Sequence, residues 1–384
     1  MKDLIATTLY GLEALLAEEL TGLGAGSVRA HNRAVSFSGD KKMMYRANYH
    51  LRTALRILKP LRAFPARNEE DIYKGIRDMA WEGVMGPENT LAVETVLVSS
   101  RYKHSGYISQ KVKDGIVDRF RDRMGKRPSV DLKDPDVRIH IHLGDTHCNV
   151  SLDSSGESLH KRGYRTQAYK APLNEVLAAG LIRLSGWEPD KRLVNPMCGS
   201  GTLAIEAGII ARGLPGGYFR PGFGFQAWKD YEPELFEAIR KERFLREYRD
   251  SEIMACDLAF PAIRAAQQNL ARAGLLGKIE LVKSDFESWQ LSPGTGTIIM
   301  NPPYGERMEK TDLQALYKNI GDTLKKNFSG YEAWIFSGNP DAMKYVGLKT
   351  SRKLALYNGP IRCKYHQYEL YDGSRKKFHR DDPV

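Results

Sequence analysis

The spacing of apolar and polar residues divides the chain into three blocks. In the first, residues 1–64, Leu4-Ile5-Ala6-Thr7 predicts a short strand. A helix follows from Gly11, with Leu12, Leu15, Leu16 and Leu20 on one face and Glu13, Glu18 and Glu19 outside. Val35-Ser36-Phe37 alternates as a strand does. A second helix through Met43–Asn48 leads to Thr53-Ala54-Leu55-Arg56-Ile57-Leu58. Strands alternating with helices on this scale predict a small α/β sandwich.

The second block, residues 65–158, opens with a helical piece near Asp71–Met79. The alternating run Leu91–Val96 follows, then a basic helix over Ser109–Met124 carrying Lys111, Lys113, Arg119, Arg121 and Arg123. Val137–Leu143 and His147–Leu152 flank the turn Gly144-Asp145-Thr146 and read as a hairpin. His140 and His142 share one strand face, and the spacing favours a solvent-facing pair over a metal pair. The third block, residues 159–384, alternates strand and helix patterns, the signature of a doubly wound parallel sheet. Its tail, Asp372–Val384, is polar and expected to be loose.

Composition narrows the class without naming a chemistry. At 42% hydrophobic and 27% charged residues, the 384-residue chain reads as a soluble protein of two or three domains. No apolar stretch is long enough to span a bilayer, and Met1-Lys2-Asp3-Leu4 lacks a signal-peptide core. Cys148, Cys198, Cys256 and Cys363 are scattered, which argues against a zinc or disulfide framework and fits a cytoplasmic setting with no metal. The net charge of +11 is spread along the chain, +6 over residues 1–165 and +5 over the rest. A polyanionic partner is favoured, although solvated lysines give the same sum.

The candidate chemistry lies at the ends of four predicted strands. Leu193-Val194 runs into Asn195-Pro196-Met197-Cys198-Gly199-Ser200-Gly201-Thr202, a turn whose glycines admit a ligand to a helix N-terminus. Cys198 reads as a small packing residue, because no base stands near it in sequence. Ile253–Cys256 ends in Asp257, where doubly wound folds hold a ribose diol; an N-cap is the plain alternative. Lys278–Ser284 ends in Asp285-Phe286, an acid for an adenine amine beside an apolar wall. Thr297–Met300 opens into Asn301-Pro302-Pro303-Tyr304. Two prolines stiffen that loop and remove its donors, leaving acceptors for an incoming NH2 group beside an aromatic face. A proline-rich turn accounts for the last motif alone; four polar strand ends on one sheet edge are harder to assign to turns.

A hydride-transfer reading fits poorly, since the full Gly-x-Gly-x-x-Gly is absent. S-adenosylmethionine chemistry fits better. Its sulfonium is already electrophilic, so the protein mainly aligns nucleophile and methyl group. A basic stretch from Ala342 to Tyr368, with six Lys/Arg and no acid, contains a hairpin turning at Asn358-Gly359. Phosphate contact and a charge-guarded edge are its two readings.

The glycine turn, together with Asn301-Pro302-Pro303-Tyr304-Gly305-Glu306-Arg307, resembles the THUMP-domain RNA guanine-N2 methyltransferases, and among them the RlmL type acting on large-subunit ribosomal RNA. Arg162-Gly163-Tyr164-Arg165, Ala171-Pro172-Leu173-Asn174-Glu175, Leu214-Pro215-Gly216 and Phe223–Trp228 extend the resemblance over almost the whole chain. It implies a ferredoxin-like region at 1–64, a THUMP domain at 65–158 and, at 159–384, a Rossmann-like class I methyltransferase domain with a seven-stranded, mostly parallel sheet. It implies Asn195, Gly199 and Gly201 around the methionine part of S-adenosylmethionine, with Pro196 and Cys198 in the same cofactor loop. Asp257 would take the ribose hydroxyls and Asp285, beside Phe286, the adenine. Asn301, Pro302 and Tyr304 would hold the target guanine.

In two respects the chain departs from the family pattern. Asn195 stands where many relatives carry Asp, so its contact to the cofactor's ammonium lacks a charge. Some relatives also carry a second methyltransferase domain fused behind the first, so only the guanine-N2 activity is implied. The implied partner is RNA, 23S ribosomal RNA before tRNA. A DNA adenine-N6 or protein glutamine-N5 methyltransferase, and a non-catalytic RNA-binding assembly factor, are the competing readings. The first 165 residues argue against the former, the four polar strand ends against the latter.

Overall fold

The structure, a computed structural model, describes residues 2–169, 172–242, 251–304 and 309–371. Ala171, Gly305, Glu306, Arg307 and the tail Asp372–Val384 lie outside the described residues. The chain divides into two compact units, residues 1–8, 16–161 and 220–243, and residues 9–15, 162–219 and 244–384.

The first unit is built on one eight-stranded sheet, ordered β2-β3-β1-β4-β8-β7-β5-β6. Its strands are β1 (Lys2–Thr7), β2 (Gly26–His31), β3 (Ala34–Gly39), β4 (Arg56–Pro65), β5 (Thr90–Leu97), β6 (Ser129–Val130), β7 (Val137–Leu143) and β8 (His147–Asp153). The helices are α1 (Glu13–Gly22), α2 (Lys41–His50), α3 (Glu69–Arg77) and α4 (Ser105–Met124). The ten-residue β4 pairs antiparallel with β1 on one side and β8 on the other. One sheet therefore runs through both of the first two blocks, residues 1–64 and 65–158. A single core serves it, from Leu4, Leu16, Leu20 and Phe37 to Ile72, Ile116, Phe120 and Ile139.

Two polar expectations are corrected here. Glu19 is not outside: its carboxylate accepts from the Thr53 amide at 3.0 Å and the Thr53 hydroxyl at 2.6 Å, half-buried. His140 does not face solvent either. It lies mid-strand in β7, opposite Glu94 of β5 and Ser151 of β8, and burial pushes its pKa down to about 4. Only His142, near the strand end, is exposed. Among the described residues no group of His, Cys, Asp and Glu is arranged to hold a metal ion, and no helix is long and apolar enough to cross a membrane.

The second unit contains a seven-stranded sheet. It opens with α5 (Glu175–Leu184), capped by Asn174, whose side chain accepts from the Val176 and Leu177 amides. Then come β9 (Arg192–Pro196) and α6 (Thr202–Ala211). Residues 220–243 return to the first unit and carry α7 (Pro233–Lys241), whose Phe236 and Ile239 join the first core. The second unit resumes with β10 (Ile253–Asp257), α8 (Phe260–Arg272), β11 (Glu280–Lys283), β12 (Gly296–Met300), α9 (Lys310–Asn327), β13 (Tyr331–Ser337), β14 (Arg352–Asn358) and β15 (Ile361–Glu369).

The order β11-β10-β9-β12-β13-β15-β14 is parallel from β11 to β13, with β15 antiparallel to both its neighbours. The central strands Leu193-Val194, Ile253–Cys256 and Ile298–Met300 are buried along their lengths, as parallel strands covered on both faces must be. Because β9, β10, β11 and β12 are parallel neighbours, their carboxyl ends share one sheet edge. The order reverses between β9 and β12, the place where open α/β sheets bind ligands.

Candidate active site

At the end of β9 the chain turns in a way few sequences allow. Met197, Gly199 and Gly201 all take left-handed backbone conformations, with φ of 53, 56 and 82°. The non-glycine member costs on the order of 1–2 kcal/mol. At Gly201 a β-carbon would stand 3.2 Å from the Ala266 Cβ, so glycine lets α8 pack close. At Gly199 a β-carbon would meet nothing within 4 Å, which leaves open space beside bare backbone.

Neighbouring groups fix this loop from outside. The Cys198 amide donates to the Cys256 carbonyl at 2.9 Å, and the Gly199 amide to Asp257 Oδ2 at 2.9 Å. Asp257 Oδ1 accepts from the Ala259 amide at 2.9 Å. Asp257 is therefore not the N-cap of α8, a position held by Ala259. An ionised carboxylate has about four lone-pair sites, so two remain for a ligand. Burial, then the nearby Asp257 charge, holds the Cys198 thiol far above its ordinary range, which keeps it protonated and unsuited to nucleophilic attack.

Asn195 is wholly buried. Its Nδ2 donates to the Ile299 carbonyl of β12 at 2.8 Å, while its Oδ1 is buried with no hydrogen-bond partner. An unmet buried acceptor costs about 1–3 kcal/mol and marks where a donor belongs. Asp285, two residues past β11, is exposed, and its carboxylate accepts a long 3.4 Å bond from the Glu287 amide. Beside it the Phe286 ring is buried in the core, stacked on Phe328 at 5.4 Å, which keeps two apolar rings out of water.

The end of β12 is built differently. Asn301 is half-buried, and its Oδ1 is the second buried amide oxygen of this edge without a partner. Pro302 is buried and Pro303 exposed. Tyr304 is clamped. Its hydroxyl accepts from Asn358 Nδ2 at 2.8 Å, and its ring lies edge-on to Phe336 at 6.4 Å. A β-carbon at Gly338 would stand only 2.8 Å from that ring. Burial pushes the Tyr304 phenol up to about 12, so it stays neutral.

A set of groups behind the glycine loop escapes sequence reasoning. Arg165 donates to Glu175 Oε1 at 2.8 Å, the Leu173 carbonyl at 2.9 Å, Thr202 Oγ1 at 3.1 Å and Ser200 Oγ at 3.3 Å. Asn269 of α8 accepts from the Thr166 and Gln167 amides and donates to the Ser200 carbonyl at 3.1 Å. Arg162 and Glu206 form a buried pair at 3.5 Å, with the Tyr164 hydroxyl donating to Glu206 at 2.9 Å. The only signal in the sequence is Arg-Gly-Tyr-Arg without apolar periodicity, in a chain segment between two elements.

This geometry has close counterparts. The RMKL-like methyltransferase domain profile matches residues 162–367, the THUMP domain profile residues 66–153 and the RlmL ferredoxin-like domain profile residues 3–58. A Synechocystis sp. protein provisionally named an RNA methyltransferase is 39% identical over 369 residues, covering 95% of this chain and 96% of that one. The ribosomal RNA large subunit methyltransferase K/L of Syntrophotalea carbinolica is 38% identical over 379 residues, covering 95% of this chain and 53% of its own length. The chain thus spans about half of that relative. Among solved structures, SMU.472, provisionally assigned as a methyltransferase and crystallised with S-adenosylhomocysteine, matches with a TM-score of 0.85 at 28% identity, over 97% of this chain and 99% of that one.

Proposed function

The chain belongs to the RMKL-like methyltransferases, and on that premise we propose that it methylates the exocyclic N2 of a guanosine in 23S ribosomal RNA. In this reading residues 1–64 and 65–158 engage the RNA, and residues 159–384 carry the transfer. The observation that carries it is the pair of unpaired buried amide oxygens, Asn195 Oδ1 and Asn301 Oδ1, at the ends of adjacent strands. One fits the ammonium of an amino-acid ligand, the other an aromatic amine.

The methyl donor is S-adenosylmethionine, which supplies an electrophilic methyl group. The residues present suit it. Asn195 Oδ1 accepts from its ammonium, and the open side of Gly199 admits it close to the backbone. The free lone pairs of Asp257 take the ribose hydroxyls, and the exposed Asp285 carboxylate takes the adenine amine. With Phe286 in the core, the adenine is held by hydrogen bonding there.

The amine of guanine is a poor nucleophile because its lone pair is delocalised into the ring. Asn301 Oδ1 and the Pro302 carbonyl accept its two hydrogens and draw the nitrogen towards sp3 character. Tyr304 stacks on the base, held in place by Asn358. The bond from N2 to the methyl carbon would form as the methyl–sulfur bond breaks, the sulfur leaving as a neutral thioether, and N2 would then lose one proton to water past its acceptors, so no ionised base is needed. The chain's task is alignment, which is worth several kcal/mol when the geometry is fixed beforehand. The nucleotide has to leave its stack to reach the strand ends. THUMP-type recognition of RNA shape is consistent with the even spread of positive charge.

The test supplies labelled S-adenosylmethionine with 23S RNA, and separately tRNA, from cells lacking the gene, followed by nuclease digestion. Labelled N2-methylguanosine from 23S RNA, lost in Asn301→Ala, is the expected result. Label in tRNA alone would move the substrate, and label on adenosine or no label would overturn the reading.

A further inference from the structure

The hairpin β14–β15 closes the far side of the seven-stranded sheet, with β14 outermost. Its register sets Tyr357 opposite Arg362, Ala355 opposite Lys364 and Lys353 opposite His366. Strand alternation then places Lys353, Tyr357, Arg362 and Lys364 on one face, with Arg362 and Lys364 about 7 Å apart. The three cations are exposed, and among the described residues none is paired with a carboxylate. His366, on the same face, is held down to about 4 by burial and then by Lys364 and Lys353, so it stays neutral beside them.

The basic helix α4 differs. There Lys113 pairs with Asp114, Arg119 with Glu82 at 2.9 Å and Arg121 with Asp118 at 2.8 Å. Its charge is largely satisfied within the protein, whereas that of the hairpin is not. Protection of a free sheet edge does not account for the hairpin charges. That role needs them on β14, but Arg362 and Lys364 sit on β15, which is paired on both sides.

The turn of this hairpin also meets the candidate site, through the face opposite the charges. Asn358, at the turn, donates to the Tyr304 hydroxyl at 2.8 Å, and its cross-strand partner Ile361 precedes Arg362. Tyr10 lies edge-on to Tyr357 at 5.4 Å and is exposed, adding an aromatic surface at the same end. We propose that Lys353, Arg362 and Lys364 form a track for the RNA phosphates next to the target nucleotide, leading away from the Tyr304 loop along the hairpin. This rests on the RNA reading above. The Tyr304–Asn358 bond then does two jobs, orienting the aromatic face and fixing the start of the track against it.

The experiment uses the full chain with Lys353, Arg362 and Lys364 all changed to Gln, which keeps length and polarity. Binding to 23S RNA from cells lacking the gene is measured across a KCl series, alongside S-adenosylmethionine affinity. Each phosphate contact contributes about 0.7 to the slope of log K against log salt on a single strand. The expected result is a slope shallower by about two, RNA affinity and KM weaker by roughly tenfold or more, and kcat and cofactor affinity unchanged. An unchanged slope and affinity would overturn the track even if the wild type methylates RNA. A changed slope in a protein that methylates no RNA would keep the track and sink the guanine reading. Should the triple variant lose cofactor binding through misfolding, Arg362→Gln alone, at an exposed position, decides by a slope change of about 0.7 or none.

Discussion

The loops after β9 and β12 stand side by side on one sheet edge and solve opposite problems. The glycine loop needs bare backbone, so it uses left-handed positions at Gly199 and Gly201 and borrows rigidity from Asp257, Arg165 and Asn269. On the proposed function the proline loop needs acceptors without competing donors, so much of its rigidity is covalent, with Tyr304 pinned by Asn358 and the Pro303 carbonyl accepting from the Tyr317 hydroxyl at 3.4 Å. Each loop presents one buried, unpaired amide oxygen. A loop that must admit a ligand to its backbone is held by its neighbours. A loop that must aim two acceptors holds itself.

Breaking the second loop should have the largest effect. On the proposed function, Asn301→Ala removes an acceptor that acts on the reacting amine, so methyl transfer should fall by roughly 10²–10³-fold, as when one preorganised polar group is lost elsewhere. Cofactor affinity by calorimetry should not move. Asp257→Ala tests the first loop. It removes the tether of Gly199 and, on the proposed function, the ribose contacts, so cofactor affinity should fall about 10–100-fold, the size of hydrogen bonds to a charged group. RNA affinity should hold.

The two glycines separate ligand space from packing space. Gly201→Ala should lower stability by about 1–2 kcal/mol from φ alone, and more from contact with Ala266, as read by thermal melting. Gly199→Ala carries the same backbone cost with no packing contact, and its extra loss should be seen in cofactor affinity. Equal behaviour of the two variants would erase the distinction. The smallest change is expected for Arg165→Lys, which keeps the charge but loses the guanidinium fork on Leu173, Ser200 and Thr202. Cofactor affinity should weaken by roughly three- to tenfold with kcat preserved, since that arginine ties the glycine loop to Leu173 and Glu175 and makes no contact with Asn301 or Tyr304.

Much of this edge is legible in the sequence because central parallel strands are apolar throughout and end abruptly. Leu193-Val194, Ile253–Cys256 and Thr297–Met300 therefore mark their own carboxyl ends, and Asn195, Asp257 and Asn301 follow directly. What is hidden depends on distant partners. β2 lacks apolar alternation because it is the outermost strand and largely exposed. Phe286 looks the same in sequence whether it faces a purine or Phe328. His140 is distinguished from His142 only by its place in the middle of the sheet. The Arg162–Glu206 pair and the Asn269 latch read as surface charge and a polar helix end. Burying them depends on contacts more than 40 residues apart, and no local pattern encodes those.

The central claim is that the loop of Asn301 aligns a guanine amine of 23S RNA. Nucleoside mass spectrometry on separated 23S, 16S and tRNA pools, from cells with the gene, without it, and carrying Asn301→Ala, tests this most directly. The account predicts loss of N2-methylguanosine from the 23S pool alone, equally in the deletion and the variant. An unchanged 23S pool, or full modification restored by the Asn301→Ala protein, would contradict it.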